Sequence, residues 1–494
     1  MCGDDGLRSR QQVPPAPSCT NRCRFSGDRR AVRGHRRGAS LGTPLGGGQS
    51  AGGQAGEAII VEIRPFRGLR YDPARVAGSD AIAPPYDVVG EEAEARLLAR
   101  APYNAAHVEL APGASEGRFA RAAARFAHWR EEGILLREPT PCFYLYEQEA
   151  TIEGRRRHRR CFFAQVRLAR PEEGLIRPHE STMAGPRAVR LELMRATGAN
   201  ISPIFSMFTD PEHRVGALLE RTLGTPPTFE AIDDLKDVHR LWPIDDEATI
   251  GEFVAVLERS TVTIADGHHR YFTALDYSAE HAESEAARYV LMGLIDVDDP
   301  GLVILPNHRL VKTAPPADFV ERLGERFEVT DVTSKVGSGV EGVSRLLERV
   351  RGLAGGPTTF GVMTSEGRLL VARGRSQEAL DGAMPAELSV ASKRLDGRVL
   401  TQLVLDPLFG IDAAALTAGA VDFTADAADA WELTTAGEYA VAFLVNGTPV
   451  QQVVDVADAG EVMPQKTTFF YPKLATGWCT RCWTSRAGLY PHRA

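Results

Sequence analysis

One short stretch of the sequence, from Asp266 to Arg270, concentrates polar groups that could bind an anion. The β-branched run Val262-Thr263-Ile264 precedes it, and the residues after it can continue as a helix. The pattern therefore predicts a strand, a tight turn and a helix N-terminus. The first N–H groups of a helix have no partner inside the helix and lie at the positive end of its dipole. Such a turn favours the binding of phosphate.

The side chains of this stretch add donors to the predicted phosphate site. Arg270 can donate to two phosphate oxygens at once, and His268 and His269 supply two imidazoles. Asp266 could cap the helix or hold a magnesium ion that bridges phosphates. A zinc or manganese centre is less favoured, because adjacent histidines in a helix point about 100° apart. A purely structural role, with Asp266 as a cap and packed histidines, is the other alternative. The predicted phosphate or nucleotide ligands here are Asp266, Gly267, His268, His269 and Arg270, with Asp266 also the predicted metal ligand.

Transfer of a phosphoryl group to a hydroxyl needs a base that accepts the hydroxyl proton. The candidates are Glu180, which follows His179 in a Pro-His-Glu segment, and Asp87, which ends a Pro-Pro-Tyr-Asp segment. Both segments are typical of loops, where catalytic groups are often presented. Each carboxylate could equally be a helix cap or a surface group, and the neighbouring His179 favours Glu180. The predicted catalytic residues are Glu180, Asp87 and His179.

Two further pairs of basic residues are candidate phosphate ligands. Lys466 and Lys473 flank the aromatic stretch Phe469-Phe470-Tyr471, and they could reach phosphate or simply be solvated. His308 and Arg309 stand at the end of a predicted strand and could supply another contact. The sequence has no Gly-x-x-x-x-Gly-Lys-Ser/Thr loop and no dinucleotide-binding fingerprint, which argues against the common nucleotide-binding folds.

The elements that position these residues alternate between strand-like and helix-like patterns. Helical spacing of apolar residues is clearest from Glu116 to Glu132, and a hairpin is predicted around Glu153-Gly154. The other predicted helices are Ala188–Ala196, Glu247–Arg259 and His268–Glu280, and the predicted strands are Cys142–Glu149, Arg160–Leu168, Thr261–Ala265, Arg288–Asp296, Leu302–Lys312 and Thr359–Met363. This alternation predicts a mixed α/β or α+β fold, and 494 residues exceed one ordinary domain.

Composition indicates a globular protein whose body is acidic. The net charge is −8 overall and −13 beyond residue 58, where 48 basic residues face 61 acidic ones. Such a body argues against a nucleic-acid partner and favours a small-molecule substrate. No run approaches the roughly 20 apolar residues of a membrane span. Two internal cysteines, Cys142 and Cys161, fit a reducing compartment, so a cytoplasmic location is expected, and the oligomeric state is left open.

The two ends of the sequence differ from its body. Residues 1–58 are rich in Arg, Gly, Pro and Ser without apolar periodicity, so we expect a disordered, non-native extension. From Trp478 the sequence is polar and aperiodic, and its Cys-x-x-Cys spacing lacks a second ligand pair for zinc, so residues 478–494 are expected to be an aberrant tail. A boundary at residue 314 divides the rest into an N-terminal α/β domain, residues 59–314, and a C-terminal α/β domain, residues 315–477.

Taken together, the motifs resemble a bacterial and archaeal family known only as a domain of unknown function, numbered ten-fifteen. Its signature matches Ala265 to Tyr271, and the resemblance covers about Glu62 to Gly477. The other matching motifs, in order, are Ile63–Gly68, Ala83–Val88, Pro178–Thr182, Asn200–Phe205, Leu305–Arg309 and Met463–Lys473. Residues 1–58 have no counterpart in the family, and the hydrophobic close expected after Gly477 is missing.

The short turn also resembles the Gly-x-x-Arg turn of the ParB and sulfiredoxin superfamily, and free serine kinases carry an almost identical Asp-Gly-His-His-Arg-Tyr. This resemblance implies a phosphate-binding strand-turn-helix and phosphoryl transfer between a nucleotide, ATP or ADP with Mg²⁺, and a small hydroxyl compound such as serine. The turn lacks a sulfiredoxin-type cysteine, which argues against sulfinic-acid repair. The alternatives are a phosphoserine phosphatase with water as the acceptor, and a non-catalytic nucleotide-binding switch of the ParB type.

Overall fold

A computed structural model of the chain describes residues 60–180, 182, 184–464 and 466–483. The predicted extension and the part of the predicted tail from residue 484 lie outside the described residues. The strands, in chain order, are β1 Ile63–Arg64, β2 Leu69–Tyr71, β3 Leu135–Arg137, β4 Phe143–Ile152, β5 Arg155–Arg167, β6 Ile176–Pro178, β7 Ala199–Asn200, β8 Ile204–Phe208, β9 Phe229–Ile232, β10 Val238–Ile244, β11 Val262–Asp266, β12 Tyr289–Asp296, β13 Val303–Leu305, β14 His308–Val311, β15 Phe327–Asp331, β16 Thr359–Thr364, β17 Leu369–Gly374, β18 Val421–Thr424, β19 Val441–Leu444, β20 Phe469–Tyr471 and β21 Arg481–Cys482. The α-helices are α1 Gly78–Ala81, α2 Glu91–Arg100, α3 Ala106–Glu109, α4 Arg118–Glu131, α5 Ala184–Thr197, α6 Arg214–Thr222, α7 Glu247–Leu257, α8 His268–Glu280, α9 Phe319–Gly324, α10 Thr333–Val336, α11 Gly339–Arg351, α12 Gln377–Ala383, α13 Val390–Lys393, α14 Asp396–Leu400, α15 Asp406–Phe409, α16 Ala413–Thr417, α17 Ala427–Thr435 and α18 Val450–Asp458.

The larger sheet carries the candidate site. Within the described residues its strand order is β6-β11-β8-β12-β5-β4-β10-β9, and β1 pairs with the end of β5. The predicted hairpin is confirmed, since β4 and β5 pair antiparallel across Glu153-Gly154. Successive residues of β4 face opposite sides: Phe143 and Leu145 enter one hydrophobic core, while Tyr144 and Tyr146 enter the other. Because both faces are covered, the sheet is a rigid frame for the loops at its edges.

A second, antiparallel sheet has the order β15-β17-β16-β19-β14-β18 and lies between its own two cores. Two sheets with helices packed against them confirm the predicted mixed α/β class with more than one unit. Among the described residues, no helix is both long enough and apolar enough to cross a membrane.

The segment predicted as one strand, Leu302–Lys312, forms two strands that belong to different sheets. Pro306 has no N–H and interrupts the ladder. β13 pairs with β20, whereas β14 pairs with β18 and β19 in the second sheet. The sequence places the domain boundary at residue 314, whereas the second sheet already begins at His308.

The C-terminal segment returns to the larger sheet instead of staying with the second one. Val453, Phe470 and Trp478 lie in the same core as Tyr144. Trp478, predicted to start a tail outside the fold, is buried and stacks on His239 with ring centroids 5.4 Å apart. A single buried aromatic residue produces no periodic pattern of apolar residues, so the sequence alone does not reveal this packing. We propose a division in which residues 63–305 and 450–482 form one unit and residues 308–444 the other, with Leu395 of the latter packed in the core of the first.

Gly68→Ala tests the packing of this returning segment. The N–H of Gly68 donates to the Tyr144 hydroxyl at 2.8 Å, and a Cβ at this position would overlap Sγ of Cys479. We expect the substitution to lower the free energy of unfolding by about 1–3 kcal/mol, the range for overpacking. Adding Cys479→Ala should regain part of that loss, as a double-mutant cycle in urea would show. Gly251→Ala, on α7 with open space around it, is the control. Unchanged stability of Gly68→Ala would contradict this packing.

Candidate functional site

The predicted strand-turn-helix is present. β11 ends at Asp266, Gly267 is the N-cap residue, and α8 begins at His268. The turn requires glycine because the φ of Gly267 is 93°, and a Cβ there would lie 2.9 Å from the guanidinium carbon of Arg270. The Arg270 side chain therefore folds back under the turn, and the Asp266 carboxylate lies beside the N-terminus of α8.

Asp266 is held between two cations. Its Oδ1 accepts a hydrogen bond from Nζ of Lys473 at 2.7 Å, and its Oδ2 accepts one from Nη2 of Arg270 at 3.0 Å. Burial alone would raise the pKa of Asp266, but the charges of Lys473 and Arg270 outweigh it and hold the pKa below its usual range. Burial alone would lower the pKa of Lys473, and the charge of Asp266 raises it instead. We call Lys473, Asp266 and Arg270 the charged triad; its net charge is +1.

The position of Arg270 differs from the predicted phosphate grip. The residue is 7% exposed, its Nη1 donates to the carbonyl oxygen of Pro203, and its Nη2 donates to Asp266. Both terminal nitrogens, which the sequence assigns to phosphate oxygens, therefore bind groups of the protein. Arg270 holds the turn, the Asn200–Phe205 motif and the charged triad together.

His179 and His268 contact each other edge to face beside the triad, with ring centroids 4.6 Å apart. Nδ1 of His179 donates to the carbonyl oxygen of Ile264 at 2.5 Å, and its Nε2 lies 3.0 Å from Oγ1 of Thr468. The backbone N–H of His179 donates to Nε2 of His268 at 3.3 Å, which favours the tautomer of His268 protonated at Nδ1. Burial lowers the pKa of His179 to about 4 and that of His268 well below its usual value. Both rings are therefore neutral at pH 7.

His179→Gln is expected to weaken the acid dependence of stability. Because the folded pKa of His179, about 4, lies below its ordinary value, the neutral ring stabilises the folded state above about pH 6.5. That stability is lost as the pH falls from about 6.5 towards 4, by up to about 1.4 kcal/mol per pH unit. Urea unfolding at several pH values between about 5 and 7 should show a shallower slope for the variant. His128→Gln, at an exposed position on α4, is the control, and equal slopes for wild type and His179→Gln would contradict the burial of a neutral ring.

Glu180 lies next to the triad and contacts the segment that follows α18. Its Oε1 accepts a hydrogen bond from the backbone N–H of Lys466 at 3.3 Å, and a β-bridge pairs Glu180 with Met463. Burial raises the pKa of Glu180, and the nearby charge of Asp266 adds to this effect. A carboxyl group with a raised pKa is suited to accept a proton near neutral pH. Lys466 is exposed, and its backbone rather than its ammonium group makes this contact.

Asp87 and His269 form the outer rim of the site. Asp87 is exposed in the 3-10 turn Tyr86–Val88, and its charge acts on His269, Arg270 and Lys473. Burial lowers the pKa of His269, and Asp87 opposes this effect. The structure thus brings together the predicted residues of four separate motifs, those of Asp87, Glu180, Asp266 and Lys473.

His308 and Arg309 lie apart from this cluster, buried on β14 in the second sheet. Nδ1 of His308 accepts from the backbone N–H of Val445 at 3.3 Å, and Nη1 of Arg309 donates to the Asn307 carbonyl at 2.5 Å. Burial lowers the pKa of His308 to about 3 and that of Arg309 to about 10. The two residues begin a strand that pairs with β18 along one edge and with β19 along the other, so they do not join the cluster around Asp266.

The sequence prediction missed contributions from Thr468, Pro203 and Arg190. Thr468 and Pro203 belong to motifs that the sequence singles out. Thr468 acts through its side-chain hydroxyl, which contacts His179, and Pro203 acts through its backbone carbonyl, which accepts from Arg270. Residue type alone does not reveal such contacts. Arg190, on α5, forms a buried pair with Glu109 at 3.0 Å, and no motif marks it.

The arrangement around Asp266 does not fit the predicted magnesium ion. Among the described residues, no group of three or more His, Cys, Asp or Glu side chains could hold a metal ion. Both oxygens of Asp266 already accept hydrogen bonds from cations, and a divalent ion there would face two positive charges at close range.

Comparisons with known proteins agree with the family resemblance. The family model described as Protein of unknown function (DUF1015) matches residues 63–396, more than half of the 494 residues, and the chain belongs to this family. No curated protein sequence matches the chain. Similar solved structures include free serine kinase in complex with AMP, at 15% identity and a TM-score of 0.29, with 63% of this chain and 86% of that chain covered. A mutant of free serine kinase in complex with ADP has 14% identity and a TM-score of 0.30, with 63% and 87% covered. A conserved hypothetical protein from Pyrococcus furiosus has 15% identity and a TM-score of 0.28, with 63% and 90% covered.

Proposed function

We propose that this member of the DUF1015 family is a nucleotide-dependent phosphotransferase that moves a phosphoryl group between ATP or ADP and the hydroxyl group of a small metabolite. The observation that carries the proposal is the position of Glu180, a carboxyl group with a raised pKa, beside Lys473 and the N-terminus of α8. A base and a phosphate-binding group in one cluster are two parts that this reaction requires.

In this proposal the transferring phosphoryl group lies at the N-terminus of α8. The free N–H groups and the helix dipole attract its oxygens. Lys473 has a flexible side chain whose ammonium group can pass from Asp266 to a phosphate oxygen. Arg270 stays bonded to Asp266 and compensates its charge when Lys473 moves. Lys473, rather than Arg270, is therefore the side chain assigned to the phosphoryl group.

The step moves one phosphoryl group and one proton. The hydroxyl oxygen of the acceptor attacks phosphorus, the bond from phosphorus to the bridging oxygen of the nucleotide breaks, and Glu180 takes the hydroxyl proton. ATP leaves as ADP, or ADP leaves as AMP. Asp87, exposed on the rim, is the second candidate for the base. Magnesium enters as part of the nucleotide substrate, since the surroundings of Asp266 do not fit a resident ion.

Serine is the first acceptor to test, because the turn from Asp266 to Tyr271 resembles that of the free serine kinases. The assay combines the purified protein, serine and the magnesium complex of ATP or ADP, and it measures phosphoserine. The reverse assay starts from phosphoserine with AMP or ADP. Formation of phosphoserine supports the proposal. Release of phosphate from phosphoserine into water alone would replace it with a phosphatase, and nucleotide binding without turnover on any acceptor would replace it with a nucleotide-binding switch.

A further inference from the structure

A small cavity adjoins the charged triad. Its volume is about 40 Å³, and its walls include Glu109, Arg190, Asn200, Ser202 and Arg270. A space of this size holds a group of a few atoms, such as a carboxylate or one or two water molecules, and it is too small for a nucleobase. The rest of its lining is apolar, with Leu193, Ile201 and Val290 among these residues, so the polar groups form the smaller part of the wall.

Two buried donors in these walls have no partner among the described atoms. Arg190 is 8% exposed and Arg270 is 7% exposed, and Nε of each is buried without a hydrogen bond. The terminal nitrogens of Arg190 donate to Oε1 and to the backbone carbonyl of Glu109, both at 3.0 Å, and those of Arg270 donate to Pro203 and Asp266. Because unpaired buried donors are unfavourable, two such N–H groups on residues that line one cavity favour the binding of an acceptor there.

The chemistry of the two donors favours an anionic acceptor. Arg190 and Arg270 are buried guanidinium groups paired with Glu109 and Asp266, the half-buried Lys473 shares Asp266, and the exposed Asp87 on the rim offsets the remaining positive charge. A carboxylate offers two oxygens to two guanidinium N–H groups, and guanidinium groups bind carboxylates with strong, charge-assisted hydrogen bonds.

We infer that this cavity binds the carboxylate of the acceptor substrate, so that the acceptor is a small hydroxy acid or hydroxy amino acid. This inference rests on the phosphotransferase function proposed above. Arg270 connects the two parts of the site, because its Nη2 holds Asp266 of the charged triad while the residue also lines the cavity. The ring of Tyr86 lies 4.1 Å from the guanidinium carbon of Arg190 and fixes its plane. A carboxylate bound here would therefore contact Arg270, the residue that also holds Asp266 beside the N-terminus of α8.

Calorimetric titration of the full chain without nucleotide tests the carboxylate directly. Serine and glycerate carry a carboxylate, whereas ethanolamine and serine amide do not. We expect serine or glycerate to bind at least about 100-fold more tightly than the two compounds without a carboxylate, as a site with buried polar groups rejects ligands that leave them unpaired. Equal binding of ethanolamine would overturn the inference. So would the failure of every carboxylate to bind, or competition by inorganic phosphate with no binding of carboxylates.

Variants locate the binding in this cavity. Arg190→Lys keeps a positive charge opposite Glu109 but removes Nε, and we expect carboxylate affinity to fall about 10- to 100-fold with nucleotide affinity unchanged. The double variant Arg190→Gln with Glu109→Gln removes the pair without leaving a buried charge alone, and it should lose the same binding. Arg195→Lys, exposed on the same helix and paired with Glu280, is the control. Unchanged carboxylate affinity in both cavity variants would overturn the assignment.

The outcomes separate this inference from the proposed function. Phosphoryl transfer to ethanolamine as fast as to serine would retain the phosphotransferase and overturn the carboxylate cavity. Carboxylate binding that depends on Arg190, with no phosphoryl transfer to any acceptor, would retain the cavity and overturn the phosphotransferase.

Discussion

Glu180→Gln is expected to lower the turnover number for phosphoryl transfer by about 100- to 10,000-fold, the usual contribution of a positioned base. Glutamine keeps the size of the side chain and can still accept the hydrogen bond from the Lys466 N–H, but it cannot take a proton. Since the base acts only in the chemical step, nucleotide affinity should stay at the wild-type value. Steady-state rates and a separate nucleotide titration measure the two quantities.

A matched control for this substitution is Glu173→Gln. Oε1 of Glu173 also accepts from a backbone N–H, that of Arg170 at 2.6 Å, but the residue is exposed and outside the site. In the wild type, turnover should fall as the pH drops through the raised pKa of Glu180, and this acidic limb should disappear in Glu180→Gln. If Glu180→Gln turns over like wild type while Asp87→Asn does not, the base is Asp87.

The local parts of the site could be predicted because their causes are local. β-branched residues, a glycine with positive φ and a polar first turn specify β11, Gly267 and α8 within about 20 residues. The hairpin of β4 and β5 follows from two apolar runs around one turn. Proline has no N–H and cannot continue a ladder of backbone hydrogen bonds. Pro306 therefore indicated two strands from sequence alone, and the prediction of one strand was wrong.

The long-range parts could not be predicted, because periodicity does not state which segments meet. Lys473 reaches Asp266 across 207 residues, and it does so because the segment after α18 leaves the second sheet and packs on the first. The same return buries Trp478. Arg270 has the residue type of a phosphate ligand, yet its partners are a carbonyl oxygen and a carboxylate that only the folded chain places beside it.

Asp266→Asn is expected to lower the free energy of unfolding by up to about 3–5 kcal/mol, the range for breaking a buried ion pair from one side, since the Asp266 side chain is 18% exposed. The substitution leaves the half-buried ammonium of Lys473 and the buried guanidinium of Arg270 side by side without their shared counter-charge. Adding Lys473→Met removes one of the two stranded charges, so the double variant should be more stable than Asp266→Asn alone. Urea unfolding near neutral pH measures all three proteins.

The pH dependence of stability identifies the carboxylate of Asp266 as the cause of the lower free energy of unfolding. Because the folded pKa of Asp266 lies below its unfolded value, its contribution to stability is fully present above the unfolded pKa of about 3.9 and is lost as the pH falls towards the folded pKa. The difference between wild type and Asp266→Asn should therefore be constant above about pH 5 and shrink below about pH 4. Asp422→Asn is the matched control: it breaks an Asp–Lys contact of the same length, 2.7 Å, to Lys312 at the surface and should lower stability by no more than about 1 kcal/mol. Equal losses for Asp266→Asn and Asp422→Asn would show that the charged triad is solvated. The assignment of the Lys473 ammonium as a group already positioned for the phosphoryl group would then fail.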